Sequence, residues 1–152
     1  FGIGSIATIL QYEMNLSCEI TGIEYDPVIN EIGAKYFKTE RFKNTNIIQI
    51  DALKFVENCE DKFQLIAIDL FNDLEVPEQF MKVSFLRKVL QLLESNGELF
   101  FNCIAHNKVS TERLQNFIST LDEMNLNYDL QVYYEYNYVL NIKKQRDIQD
   151  FK

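Results

Sequence analysis

The sequence opens on Gly2-Ile3-Gly4-Ser5-Ile6-Ala7. This G-x-G-x-x-A pattern gives a turn in which residues without side chains let backbone approach a ligand closely. Glu24 follows about 20 residues later, the spacing at which a carboxylate accepts hydrogen bonds from ribose hydroxyls. Each half alone also reads as ordinary structure, a tight turn before a helix and an acidic residue after a strand. Their joint occurrence favours a nucleotide-type ligand.

Two further carboxylates stand at expected strand ends. Asp51, in Asp51-Ala52, is placed to accept a hydrogen bond from an adenine amino group. It is equally suited to cap a short helix, and the two roles can coexist. Asp69 closes the most apolar run, Phe63 to Ile68. Open α/β sheets bind ligands outside the carboxyl ends of their strands, so Asp69 can orient a cationic or amino group or act as a base. Asp73 and Asn72 follow in the same loop. Asp69 and Asp73 are the candidate catalytic carboxylates, against the alternative of a solvated polar loop. Asn102 and His106, at or past the end of a later strand, are weaker candidates for the same cleft.

The elements that must position these residues alternate. Helical spacing of Ile6, Ile9, Leu10 and Met14 is followed by a strand over 18–24. Asp26-Pro27 then starts a helix to about Phe37, with Val28, Ile29, Ile32 and Tyr36 expected inward. Strand 46–50, a short helix 52–58 and strand 63–68 come next, the last expected to be central and covered on both faces. A long helix is expected over 78–94, closed by Asn96-Gly97, before a strand over 98–103. Ser110 is expected to cap a helix carrying Leu114, Phe117, Ile118, Leu121 and Met124. Strands 128–135 and 138–143 are too close to be anything but antiparallel. The tyrosines there (128, 133, 134, 136, 138) are expected to pack across the strands.

This pattern predicts an α/β fold: a doubly wound, mostly parallel sheet with a C-terminal antiparallel hairpin. A glycine-rich turn should follow a strand, yet only Phe1 precedes Gly2. The reading is therefore one domain over 1–152 that lacks its first central strand at the N-terminus. The length of 152 residues fits one domain able to bury its own core.

Composition excludes several classes. Lys and Arg number 15 against 23 Asp and Glu, for a net charge of −8. That argues against a nucleic-acid partner and is compatible with a small, cationic substrate. No apolar run reaches membrane-spanning length, and the first residues lack a basic n-region. Cys18, Cys59 and Cys103 form no CxxC pair. They read as buried free thiols in a reducing, cytoplasmic compartment, with no metal site.

Together these residues resemble the class I S-adenosylmethionine-dependent methyltransferases, and among them the spermidine synthase-like branch. Phe1 to Ser5 is similar to the glycine-rich first motif, Gly22-Ile23-Glu24-Tyr25-Asp26-Pro27 to the ribose-binding segment, and Asp51-Ala52 to the adenine-contacting pair. Asp69-Leu70-Phe71, Val76-Pro77, Asn96-Gly97 and Asn102 look like the fourth- and fifth-strand region. The resemblance implies a Rossmann-like methyltransferase fold with S-adenosylmethionine as cofactor. It implies Gly2, Gly4, Glu24, Tyr25, Asp51, Ala52 and Asp69 as cofactor-binding residues, and leaves a homodimer open. Polyamine synthases usually carry aspartates three apart, the second followed by proline. Here Asp69 and Asp73 are four apart, with Leu74 next. Methyl transfer to an unidentified acceptor therefore ranks ahead of aminopropyl transfer. A dinucleotide enzyme and a noncatalytic module complete the alternatives.

Overall fold

The computed structural model describes residues 1–144. The chain forms two compact units, Phe1–Asn58 and Cys59–Lys152. No helix among the described residues is long and apolar enough to cross a membrane.

In the first unit the glycine turn enters α1 (Ser5–Thr8), which continues as a π-helical turn over Ile9–Glu13. Strand β1 (Ile20–Glu24) and strand β2 (Thr45–Gln49) pair in parallel, Ile20 opposite Thr45 and Glu24 opposite Gln49. β1 starts at Ile20 and not at Cys18, because the ladder with β2 begins there. Between them lies α2 (Pro27–Phe37). Asp26 caps it, its carboxylate accepting from Val28 N at 2.8 Å, and Pro27 fixes the first helical φ. Helix α3 (Ala52–Asn58) follows β2.

One expectation for α2 fails. Val28 and Tyr36 are exposed, and the residue α2 buries is Gly33. A Cβ at Gly33 would lie 3.2 Å from Thr39 Cγ2 and 3.7 Å from the Gly2 carbonyl oxygen. The helix therefore seats most closely through its smallest residue, against the Thr39 side chain, while Ile29 and Ile32 are half-buried and Val28 and Tyr36 stay outside.

The second unit holds a four-stranded sheet in the order β3-β4-β6-β5, from β3 (Phe63–Ile68), β4 (Leu93–Ile104), β5 (Asn127–Tyr133) and β6 (Asn137–Lys143). β3 and β4 are parallel; β6 is antiparallel to both β4 and β5. Helices α4 (Val83–Leu92) and α5 (Lys108–Glu123) supply the other core layer. Phe101 of β4 packs on Phe117 of α5 with ring centroids 4.8 Å apart, and Leu99, Leu121, Leu140 and Ile142 are fully buried beside them.

Here too the expected boundaries shift for physical reasons. The long helix over 78–94 is instead a 3-10 turn (Glu78–Met81) and α4, separated by extended backbone at Lys82. It ends at Leu92 because Leu93 already pairs with Phe63. Asn96-Gly97 is then a bulge within β4 and not a helix cap: the register jumps from Phe63↔Leu93 to Leu65↔Glu98, and Asn96 takes φ 66°. Among the described residues β3 has one strand neighbour in its sheet, β4, and Leu65 is exposed, so the expected central place and two-sided cover are not seen. The cap of α5 is Asn107, not Ser110. The two form a reciprocal capping box, Ser110 N donating to Asn107 Oδ1 at 2.9 Å and Asn107 N to Ser110 Oγ at 3.1 Å. The terminal hairpin forms as expected, and its register sets Tyr128 against Ile142 and Tyr138 against Val132, aromatic–β-branched pairs across the strands, with Tyr133 against Asn137 and Tyr134 and Tyr136 in the turn.

Candidate functional site

Glu24 ends β1 and holds the glycine turn. Its Oε2 accepts from Gly2 N at 2.9 Å, and its Oε1 accepts from Asp26 N at 3.0 Å. An ionised carboxylate offers about four lone-pair positions, so these two bonds orient it without exhausting it. The side chain is 14% exposed, enough to be reached. Gly2 and Gly4 both adopt left-handed φ, 59° and 85°. They differ in surroundings. A Cβ on Gly2 would meet nothing within 4 Å, whereas one on Gly4 would lie 2.5 Å from Phe42 Cε2. Gly2 keeps an open side for a ligand; Gly4 is small so that the turn can pack.

The neighbouring strand end brings in Asp51. Ile50 N donates to the Glu24 carbonyl oxygen at 3.2 Å, so the residue before Asp51 is tied to the end of β1. Asp51 Oδ1 accepts from Leu53 N at 2.8 Å and Lys54 N at 3.2 Å, which makes it the cap of α3. Both bonds use Oδ1, leaving Oδ2 for an outside donor. Ala52 is the first residue of α3 and half-buried; Tyr25, between Glu24 and Asp26, is exposed. The first unit thus assembles Gly2, Gly4, Glu24 and Asp51 around one pair of strand ends.

The second unit carries the other candidates. Asp69 follows β3 directly, and Asn102 Nδ2 donates to its Oδ1 at 2.9 Å. The register explains the meeting: Ile68 lies opposite Phe101, so the next residue of each strand is adjacent. Asn102 Oδ1 is buried and has no hydrogen-bond partner. Asp73 sits at the tip of a tight turn with φ 56°. Asn72 and Glu75 close that turn, exchanging backbone hydrogen bonds of 2.9 and 3.1 Å. A cavity of about 420 Å³ is lined by Asn72, Asp73, Val76, Pro77, His106 and Arg113 among others. Asp73 and His106 therefore share a wall-set that does not include Asp69.

Two residues on this cavity escape the sequence reading. Arg113 of α5 donates from Nη1 to Glu75 Oε2 at 2.8 Å and ties the Asp73 turn to the helix. The partners are far apart in sequence, and no local motif joins them; only the strand-to-helix topology does. Cysteine chemistry is absent from the site. All three cysteines are free, but only Cys103 is fully buried, with Cys18 and Cys59 half-buried. Burial pushes the Cys103 thiol up to about 12, so it stays protonated and unreactive.

No family model matches the chain. It is 29% identical over 125 residues to the polyamine aminopropyltransferase of Vibrio vulnificus (strain CMCP6), covering 80% of this chain and 42% of that protein. It is 26% identical over 107 residues to the eEF1A lysine and N-terminal methyltransferase homolog of Drosophila melanogaster, covering 64% of this chain and 16% of that protein. The chain thus spans less than half the length of either relative. Among solved structures, human methyltransferase-like protein 13 in complex with SAH superposes with a TM-score of 0.74 at 20% identity, over 97% of this chain and 70% of that one. The fold is the Rossmann-like α/β fold of class I methyltransferases.

Proposed function

We propose that the protein binds S-adenosylmethionine and transfers its methyl group to an amine. The carrying observation is the assembly at the ends of β1 and β2, where Glu24 braces the Gly2 turn and Asp51 stands on the adjoining strand. The donor set fits the cofactor: Glu24 has acceptor positions left for a ribose diol, Asp51 Oδ2 suits an adenine amino group, and Gly2 has open space beside it. When bound, S-adenosylmethionine supplies an electrophilic methyl carbon on a sulfonium sulfur. In the second unit Asp69, its Oδ1 held by Asn102 Nδ2, would offer a carboxylate able to bind an amine and accept its proton. The amine reading draws support from the two relatives, one named for polyamines and the other for lysine and N-terminal methylation. It also suits a chain of net charge −8, as does the absence of nucleic acid from the proposal. Calorimetric titration with S-adenosylmethionine is expected to give a Kd of roughly micromolar order; absence of binding to both the cofactor and S-adenosylhomocysteine would sink the reading.

Aminopropyl transfer from decarboxylated S-adenosylmethionine to a diamine is the second reading. The 29% identity to a polyamine aminopropyltransferase and the carboxylates Asp69 and Asp73 favour it. Incubation with putrescine and each cofactor separates the two. Methylthioadenosine formed with the decarboxylated cofactor supports aminopropyl transfer, and S-adenosylhomocysteine formed with the intact one supports methyl transfer.

A further inference from the structure

We propose that the basic surface formed by residues 35–43, where the chain passes from α2 to β2, docks an acidic segment of a partner protein. The stretch holds Lys35, Lys38, Arg41 and Lys43 against one carboxylate, Glu40. Within residues 1–58 only Lys54 carries a positive side chain outside it. All four cations are exposed. None of them forms an ion pair with another described residue, in a chain whose net charge is −8. In so acidic a chain, unpaired cations gathered in one stretch make a local positive field suited to carboxylates from outside.

The fold fixes this surface. Thr39 and Phe42 are buried, Thr39 against Gly33 and Phe42 against Gly4 and the Phe1 ring, while Lys38, Glu40, Arg41 and Lys43 around these anchors are exposed. Arg41 N donates to the Lys38 carbonyl oxygen at 3.0 Å, closing a tight turn that brings Lys38 and Arg41 together. Gln11 clamps the next residues: its Oε1 accepts from Lys43 N at 3.1 Å, and its Nε2 donates to the Lys43 carbonyl oxygen at 2.6 Å. Tyr12 Oη donates to the Arg41 carbonyl oxygen at 3.3 Å. A partner therefore meets a backbone that is already ordered.

The side chains choose between polyanions. The Arg41 guanidinium lies over the Tyr12 and Phe42 rings at 4.9 and 5.4 Å, and Lys35 Nζ over the Tyr36 ring at 5.0 Å. A stacked guanidinium keeps its N–H edge for a carboxylate, which it can grip with two bonds. Bases of a single strand need free aromatic faces to stack on, and here cations lie over those rings. The net charge also disfavours a densely charged nucleic acid more than a short acidic segment. Helix α2 carries the chain back from the carboxyl end of β1 to the amino end of β2. The surface thus lies at the opposite strand ends from Glu24 and Asp51, and docking there leaves the proposed cofactor site open.

The test is fluorescence anisotropy of the full chain with a labelled peptide of alternating glutamate and serine. A Kd of roughly micromolar to tens of micromolar order is expected at low salt, rising with added sodium chloride. The same peptide with glutamine in place of glutamate is expected not to bind. Arg41→Glu is expected to raise the Kd about tenfold or more, and Arg41→Lys about threefold, because the charge stays and the fork is lost. Lys43→Gln leaves the Gln11 clamp in place, since that clamp uses only the Lys43 backbone, and is expected to raise the Kd about threefold. It carries the test if far-UV circular dichroism shows Arg41→Glu to be unfolded. Lys88→Glu makes the same change of charge on an exposed residue of α4 and is expected to leave the Kd within about twofold. The proposal is overturned by no binding of the glutamate peptide at low salt, by tighter binding of a single-stranded oligouridylate than of the peptide, or by a loss in Lys88→Glu equal to that in the folded Arg41 or Lys43 variants.

Discussion

In residues 1–58 the buried apolar side chains are Ala7 and Phe42 alone. In the described part of the second unit they include Phe101, Phe117, Leu86, Leu99, Leu121, Leu140 and Ile142. Glycine runs the other way. Gly2, Gly4, Gly22 and Gly33 all lie in the first unit, and three of them are places where a Cβ would press on a neighbour within 3.2 Å. The first unit is organised by where backbone goes, the second by how side chains fill space. The division teaches where each kind of change will be felt. Volume errors should be felt as stability in the second unit, and conformational errors as ligand affinity in the first.

That contrast is most exposed to failure at Phe117. It is 2% exposed and packed on Phe101, so Phe117→Ala is expected to cost about 3–5 kcal/mol in urea unfolding. A cost below about 1 kcal/mol would mean that the second unit is not held by its packing. Alkali tests the same core from another side. The Cys103 thiol is raised from 9.0 to about 12, so the folded state keeps a proton that the unfolded state releases. Its stabilisation is complete below pH 9 and declines as pH rises from there towards 12, by on the order of 4 kcal/mol over the full window. Unfolding of the natural chain and of Cys103→Ala, compared between pH 8 and pH 10.5, should converge as pH rises.

Next in size is Gly4→Ala, which adds strain at φ 85° and a contact with Phe42. About 2 kcal/mol is expected, against about 1 kcal/mol for Gly2→Ala, where space is open. Equal losses would remove the distinction between the two glycines. Glu24→Gln keeps the side chain's shape but not its charge. Roughly a tenfold loss of S-adenosylmethionine affinity by calorimetry is expected, with a stability loss of about 1–3 kcal/mol in urea unfolding, because the amide nitrogen must face one of the two backbone N–H donors that the carboxylate accepts. The smallest effect belongs to Arg113→Met. Its ion pair with Glu75 is more than a third exposed, so less than about 1 kcal/mol is expected.

The sequence was most legible where local chemistry decides. Asp26-Pro27 announces α2, α3 and β3 fall on their expected residues, and the close-set strands 127–133 and 137–143 can only form a hairpin. It was least legible where a partner distant in the chain overrides local preference. Leu93 continues a helical stripe, yet leaves the helix because Phe63 offers a ladder. Val28 and Tyr36 fit an inward face, yet Gly33 makes the closest contact. The site divides in the same way. Glu24 and Asp51 stand out by spacing from the glycine turn and by their positions at strand ends. The bonds from Asn102 to Asp69 and from Arg113 to Glu75 join residues more than thirty positions apart and depend on the sheet and helix being in place.

The strand order β3-β4-β6-β5 also sets a timetable for synthesis. β4 is flanked by β3, made before it, and β6, made well after it. Leu140 and Ile142, which complete the buried layer beside Leu99 and Phe101, are synthesised only after β4, α5 and β5 have been made. Until then β4 has an open edge and α5 has only part of the surface it will cover. The second unit therefore has to hold an unfinished core through most of its own translation, and its folding waits on the return of β6.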